Sequence, residues 1–172
     1  MTQKGCRILG LTAFFIAMFT FSSLAQFGTA RLGINGLTCS QCSRSVELSL
    51  RKLAFVSDVT MDLENTIATI RFGNESEPDF KYLAKAVTDA GFSVRFLDIT
   101  FREPQSWPDN HCLQIGKTAF YLLPENKEKE PLRTVRVIGK AYSEKKELRK
   151  YQLPAAIPCH TQAVLYVTKG KD

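Results

Sequence analysis

The stretch "ARLGINGLTCSQCSRSVELSL", residues 30–50, decides the fold of the first half of this 172-residue chain. Leu32 and Ile34 alternate with polar or small residues, which predicts a short strand with one apolar face. A loop follows, and Val46 and Leu50 then stand four positions apart, as they do on one face of a helix. The stretch therefore predicts a strand, a loop and an amphipathic helix, with two cysteines where the loop meets the helix.

The residues that follow predict four further elements. Segments 55–64 and 67–72 alternate apolar and polar residues on either side of an Asn-Thr turn, so they predict a hairpin. Helical spacing recurs over 80–87, and a last alternating segment follows it. The order within 30–97 predicts a ferredoxin-like βαββαβ domain of the α+β class, in which two helices cover one face of a four-stranded antiparallel sheet.

The rest of the chain has a different composition. Two prolines in "REPQSWPDN" predict a linker over 98–110. The segment 113–123 predicts one strand. Further alternating segments follow, separated by a charged loop between two prolines and by a short basic helix that Ser143 is expected to cap. These patterns predict a small β-rich domain over 111–172, whose role the sequence does not indicate.

The first 25 residues have the pattern of a secretory leader. Lys4 and Arg7 precede an apolar run over 8–21, and Ser23 and Ala25 then occupy the positions that signal peptidases recognise. We therefore expect a signal peptide over 1–25 and a periplasmic or secreted protein. The alternative is an uncleaved membrane anchor, although the apolar run is short for a bilayer span. From the sequence, we expect contact with a membrane only through this segment, if it is not cleaved.

The charge gives no reason to expect nucleic acid as a partner. The net charge is +6, part of it lies in the leader, and residues 30–97 carry equal numbers of basic and acidic side chains. The chain has only two histidines and no Ser-His-Asp arrangement. We therefore do not predict an enzyme.

Cys39 and Cys42 form a C-x-x-C pair at the start of the first helix. Free backbone N–H groups there favour the thiolate, which is the form that binds soft metals. Two sulfur ligands suit Cu(I) best and Hg(II) as well, whereas Zn(II) requires four ligands and would need others. The same pair could instead be a redox couple, a structural disulfide or two small core residues.

The loop "GLTCSQC", the helix "SRSVELSLRKL", the hairpin after it and the close "LAKAVTDAGFSV" together resemble the heavy-metal-associated domain family. The resemblance covers about residues 30–97 and includes copper chaperones, modules of metal-exporting ATPases and periplasmic mercury-binding proteins. It implies that Cys39 and Cys42 are the metal ligands, that Leu37 packs beneath the loop and that Phe92 shields the metal. Thr38 matches the copper and mercury type.

The remaining cysteines each stand next to a histidine, in "DNHCLQ" and "IPCHTQ". His111, Cys112, Cys159 and His160 could form a tetrahedral second metal site. The alternatives are two unpaired thiols or a disulfide between Cys112 and Cys159, and the disulfide would stabilise an exported domain with a thin core. Adjacent residues on a strand point in different directions, which disfavours the metal site.

These observations predict an exported soft-metal-binding protein, either a metallochaperone or a metal scavenger. It would carry Cu(I) or a similar thiophilic ion and exchange it with a donor or acceptor, such as a transporter or another metal-binding domain. Following the resemblance, partner thiolates would enter a three-coordinate intermediate while one cysteine leaves, and Cys39 is expected to be the more exposed ligand. The alternative function is a thiol-disulfide oxidoreductase of exported proteins that uses the same two cysteines.

Overall fold

A computed structural model describes residues 26–74, 76–124, 130–154, 159 and 164–171. The predicted signal peptide lies outside these residues. The helices and strands, in chain order, are β1 (Phe27–Asn35), α1 (Ser40–Arg51), β2 (Val56–Asp62), β3 (Ile67–Phe72), α2 (Lys81–Asp89), β4 (Ser93–Gln105), β5 (Cys112–Ile115), β6 (Thr118–Leu122), β7 (Leu132–Ile138), α3 (Lys145–Leu148) and β8 (Val164–Lys169).

The first six elements follow the predicted order βαββαβ. β1 lies between β3 and β4 and is antiparallel to both, and β2 pairs with the far side of β3. Leu32 stands opposite Ala68 on one side and Leu97 on the other, and all three side chains are fully buried. Val46 and Leu50 of α1 are also fully buried, as their spacing predicted. The apolar faces of the sheet and the helices thus form one core.

The prediction of a four-stranded domain followed by a separate β-rich domain is not confirmed. All eight described strands form one sheet, in the order β2-β3-β1-β4-β7-β8-β6-β5. β7 is antiparallel to β4 and to β8, whereas β6 and β8 are parallel. The boundaries of residues 30–97 and 111–172 as independent folding units stay a prediction.

Residues 98–105 are strand, where the sequence analysis expected a linker. They form the second part of β4, because Ile99 and Phe101 continue the apolar alternation of the strand and are fully buried. Pro104 suggested a loop, but it falls where the β4–β7 register is interrupted, between Thr100 and Gln105. Proline is tolerated at such an irregularity because its missing N–H removes no ladder hydrogen bond.

The C-terminal elements also differ from the expectation in detail. The segment expected to be one strand over 113–123 is the β5–β6 hairpin, which turns at Gly116 with a positive φ of 56°. Ser143 does not cap the short helix α3. Its side chain is buried, its hydroxyl donates to the carbonyl of Val137 at 3.3 Å, and Glu144 is the N-cap instead.

A cluster of phenylalanine rings joins the two halves of the sheet. Phe120 on β6 lies 5.6 Å from Phe101 on β4 and 6.2 Å from Phe80, measured between ring centroids. Phe27 on β1 lies 5.3 Å from Phe80 and 6.0 Å from Phe120. All four rings are buried, so residues from both halves stabilise a shared core.

Within the described ranges, no helix is long and apolar enough to cross a bilayer.

Candidate metal centre

The loop between β1 and α1 packs against an aromatic ring and against the core. Gly36 has a positive φ of 87°, which a residue with a side chain adopts only with strain. The ring of Phe92 lies against this glycine, with Cδ1 3.6 Å from the position that a Cβ would take. Leu37 is buried in the core beneath the loop, as the resemblance implied. The loop is thus fixed between the core and an aromatic ring.

Cys39 is the N-cap residue of α1. Its backbone is extended, with φ −144° and ψ 156°, and its Sγ accepts a hydrogen bond from the backbone N–H of Cys42 at 3.1 Å. The N–H of Ser43 donates to the carbonyl of Cys39 at 3.2 Å and begins the helix. Because α1 is a twelve-residue helix with no acidic residue in its first turn, its N–H groups favour negative charge on the sulfurs.

Ser43 also helps to position Cys39, a role that was not predicted from the sequence. Its side chain is buried, and its hydroxyl donates to the carbonyl of Cys39 at 3.3 Å. A serine four residues after an N-cap could have indicated this contact, since a hydroxyl in the first turn reaches back to the preceding carbonyl.

The sulfur atoms of Cys39 and Cys42 are bonded as a disulfide, with the two Cα atoms 5.3 Å apart. The structure therefore represents the oxidised pair, which must be reduced before either sulfur can bind a metal. Cys39 is exposed and Cys42 is half-buried, in the order that the sequence analysis expected. Solvent and a partner protein can reach the pair from the side of Cys39.

Charged side chains of α1 that follow the two cysteines are paired with each other. Glu47 on α1 accepts hydrogen bonds from Arg51 at 2.8 Å and from Arg44 at 3.0 Å, and these bonds lower the pKa of its carboxyl. Among the described residues, no group of three or more Cys, His, Asp and Glu side chains could hold a metal ion. A set of two sulfurs suits Cu(I) and Hg(II) better than Zn(II).

The second pair of cysteines is also joined. Cys112 at the start of β5 and the buried Cys159 form a disulfide, with Cα atoms 5.8 Å apart. His111 has a positive φ of 60°, and its ring centroid lies 6.1 Å from that of Tyr121. His160 lies outside the described residues. With both sulfurs bonded to each other, the tetrahedral site considered for this position would need the disulfide to be reduced.

The comparisons with known proteins concern this part of the chain. The sequence profile of the heavy-metal-associated domain family matches residues 31–93. Copper-transporting ATPase 1 of Rhizobium meliloti is 40% identical over 63 residues, which are 37% of this chain and 7% of that protein. The mercuric transport protein periplasmic component of Serratia marcescens is 33% identical over 64 residues, which are 37% of this chain and 69% of that protein.

Among solved structures, oxidised MerP from Ralstonia metallidurans CH34 is 28% identical and has a TM-score of 0.36, with coverage of 44% of this chain and 96% of that chain. The chain spans only 7–8% of the length of the copper-transporting ATPases it matches. A C-x-x-C loop at the start of α1, within a βαββαβ order, defines a small metal-binding domain. The chain belongs to the heavy-metal-associated domain family, and the predicted resemblance is thereby confirmed.

Proposed function

We propose that this chain is an exported carrier of a soft metal ion, with Cu(I) as its preferred cargo, which it binds through Cys39 and Cys42. The observation that supports this most directly is the placement of both sulfurs within bonding reach of each other at an exposed helix start. Relatives named for copper and for mercuric ion support a thiophilic cargo. Hg(II) is the second choice, and Zn(II) the third because the described residues offer only two ligands.

The unequal exposure of the two cysteines supports a route for transfer of the metal ion to and from a partner protein. In the reduced pair, the Cys42 N–H bond to the sulfur of Cys39 stabilises that thiolate without blocking its exposed side. A thiolate of the donor or acceptor protein enters from this side, and Cys39 is the ligand that leaves first. Cys42, packed against the core, keeps the ion until the transfer is complete.

The site of action belongs to the same proposal. The leader pattern over 1–25 supports export to the periplasm or beyond, and one relative carries the word periplasmic in its name. The partner would be a metal transporter or another metal-binding domain. The proposal assigns no catalytic residue, and the relatives, named for metal transport, give no support to the thiol-disulfide alternative.

Metal competition tests the proposal. The reduced chain from Gln26 onward is titrated with Cu(I), Hg(II) and Zn(II) against a chelator, and bound ions per chain are counted. We expect one Cu(I) per chain, complete loss in the Cys39→Ser, Cys42→Ser double variant and no loss in a matched Cys112→Ser, Cys159→Ser variant. Absence of Cu(I) binding by the reduced chain, or insulin reduction that depends on Cys39 and Cys42, would overturn it.

A further inference from the structure

Four cations line one side of the short helix α3 and the turn that follows it. Lys145, Lys146, Arg149 and Lys150, called here the cationic stripe, are all exposed, whereas Leu148 between them is half-buried. The N–H of Arg149 donates to the carbonyl of Lys145 at 3.2 Å, so helical geometry continues past the end of α3. Residues four apart share a helix face, which places all four cations on one side.

The stripe has no counter-ion of its own among the residues that the structure describes. The ion pairs there involve other side chains, and the cations include two like-charge pairs at a spacing of four residues, Lys145 with Arg149 and Lys146 with Lys150. Like-charge pairs at this spacing destabilise an isolated helix. An external anion that bound the stripe would remove this repulsion.

The rear of α3 is fixed to the sheet. Glu147 lies 3.8 Å from Nη1 of Arg136, and Arg136 forms a bidentate ion pair with the buried carboxylate of Asp98 at 2.6 and 2.7 Å. The guanidinium of Arg136 also lies 4.5 Å from the ring centroid of Phe96. These contacts hold α3 against β4 and β7, so the four cations face away from the sheet as a group.

We propose that the cationic stripe docks this chain on a bilayer that contains anionic phospholipids. None of the four cations lines the cavity of about 440 Å³ beside Phe80 or the cavity of about 390 Å³ beside Val94. Lysine ammonium groups are mobile point charges that need no particular geometry in their partner. A lipid surface offers many equivalent phosphates to such a stripe, and each lysine or arginine near it contributes to binding.

The location of the stripe gives this docking a role in metal exchange. Lys140 and Ala141, just before α3, line the same cavity as Ser93 and Val94 at the start of β4. Ser93 in turn pairs with Asn35, the last residue before the metal loop. The segment that leads into the cationic stripe therefore lies near the metal-loop end of β4. Docking through the stripe would bring this end of the sheet toward a transporter in the same membrane. This last step rests on the proposed function, whereas lipid binding itself does not.

Vesicle sedimentation tests the docking. The chain from Gln26 onward, which lacks the apolar leader, is mixed with vesicles of phosphatidylcholine that contain about 30% phosphatidylglycerol, and with vesicles of phosphatidylcholine alone. We expect binding to the anionic vesicles at about 50 mM NaCl and its loss at about 500 mM, because salt screens exposed charges. Equal binding to both kinds of vesicle, or binding that salt does not weaken, would overturn the proposal without any variant.

A charge-matched pair of variants locates the binding. Changing all four stripe residues to glutamine should lower the partition coefficient at least about 100-fold, since each cation contributes about 5-fold at an anionic surface. The control changes four other exposed cations that have no ion pair within the described ranges, and it should lower the coefficient less than about 10-fold. The control substitutions are Lys52→Gln, Lys117→Gln, Arg133→Gln and Lys171→Gln. An equal loss in both variants refutes a localised stripe.

Two further measurements distinguish lipid docking from metal binding and from binding to other polyanions. The stripe variant should still bind Cu(I), and the Cys39→Ser, Cys42→Ser variant should still bind vesicles, so either function can fail without the other. Immobilised poly-glutamate and duplex DNA serve as alternative anions. Retention on either of them, without binding to anionic vesicles, assigns the stripe to an acidic macromolecule and overturns the lipid proposal.

Discussion

Replacing Phe120 with alanine tests whether the two halves of the eight-stranded sheet unfold together. The ring of Phe120 is fully buried on β6 and lies within 6.2 Å of three other rings, those of Phe27, Phe80 and Phe101. All three belong to the part of the chain that precedes β5. The substitution therefore removes contacts between the halves as well as contacts within one of them.

The expected cost follows from the size of the buried ring. Truncation of a buried phenylalanine to alanine costs about 3–5 kcal/mol, because apolar surface is lost and a cavity remains. Each kcal/mol lowers the unfolding midpoint of a chain of this size by about 2–4 °C. We therefore expect the midpoint of Phe120→Ala to fall by about 10 °C.

Two probes report on different parts of the molecule in the same thermal scan. Far-ultraviolet circular dichroism reports mostly on α1 and α2, and fluorescence reports on Trp107, the single tryptophan, which packs against the core just before β5. Both probes should give one coincident transition, shifted equally by the substitution. Leu63→Ala, at an exposed side chain, is the control and should shift the midpoint by less than about 2 °C. A dichroism midpoint that stays at the wild-type value while the fluorescence midpoint falls would refute a shared core.

Three other variants test the ion pair, the second disulfide and a buried phenol. Arg136→Ala should lower the free energy of unfolding in urea by about 3–5 kcal/mol, because it leaves the buried carboxylate of Asp98 without a partner. A loss below about 1 kcal/mol, the size expected for an exposed ion pair, would contradict this. The Cys112→Ser, Cys159→Ser variant should lose about 2–5 kcal/mol in the same assay, because the disulfide restricts the unfolded chain, and unchanged stability would contradict this. Burial raises the pKa of Tyr142 above that of a free tyrosine. The protonated phenol therefore contributes to the free energy of unfolding below the ordinary tyrosine pKa of about 10, and this contribution is lost as the pH rises above that value. Unfolding followed between neutral and alkaline pH should therefore show a steeper alkaline loss of stability in the wild type than in Tyr142→Phe, and identical pH profiles would count against the assignment.

The local parts of the fold could be predicted from the sequence because local patterns determine them. The alternation at Leu32 and Ile34 and the helical spacing of Val46 and Leu50 depend on neighbouring residues only. The position of the metal loop could be predicted for the same reason, since Cys39 and Cys42 are only three residues apart in the sequence. The burial of Leu37 beneath that loop followed from the resemblance.

The extension of the sheet could not be predicted, because it depends on pairing between residues far apart in the chain. Asp98 pairs with Arg136 across β4 and β7, and neither residue has a neighbour in sequence that indicates this contact. Pro104 suggested a linker, although the buried Ile99 and Phe101 continued the alternation of a strand. Composition was therefore a weaker guide here than periodicity, and only tertiary structure placed the C-terminal strands beside β4.

The pairing of β7 with β4 leaves only two strands with an unpaired side in the described sheet, β2 and β5. β2 carries charged residues, among them Asp58, which is bound by Arg51 and Arg71, and β5 is only four residues long. Short strands and charged side chains at sheet borders hinder the addition of a strand from another molecule. Concentrated protein should therefore resist self-association by edge-to-edge strand pairing, even though the chain contains an eight-stranded sheet.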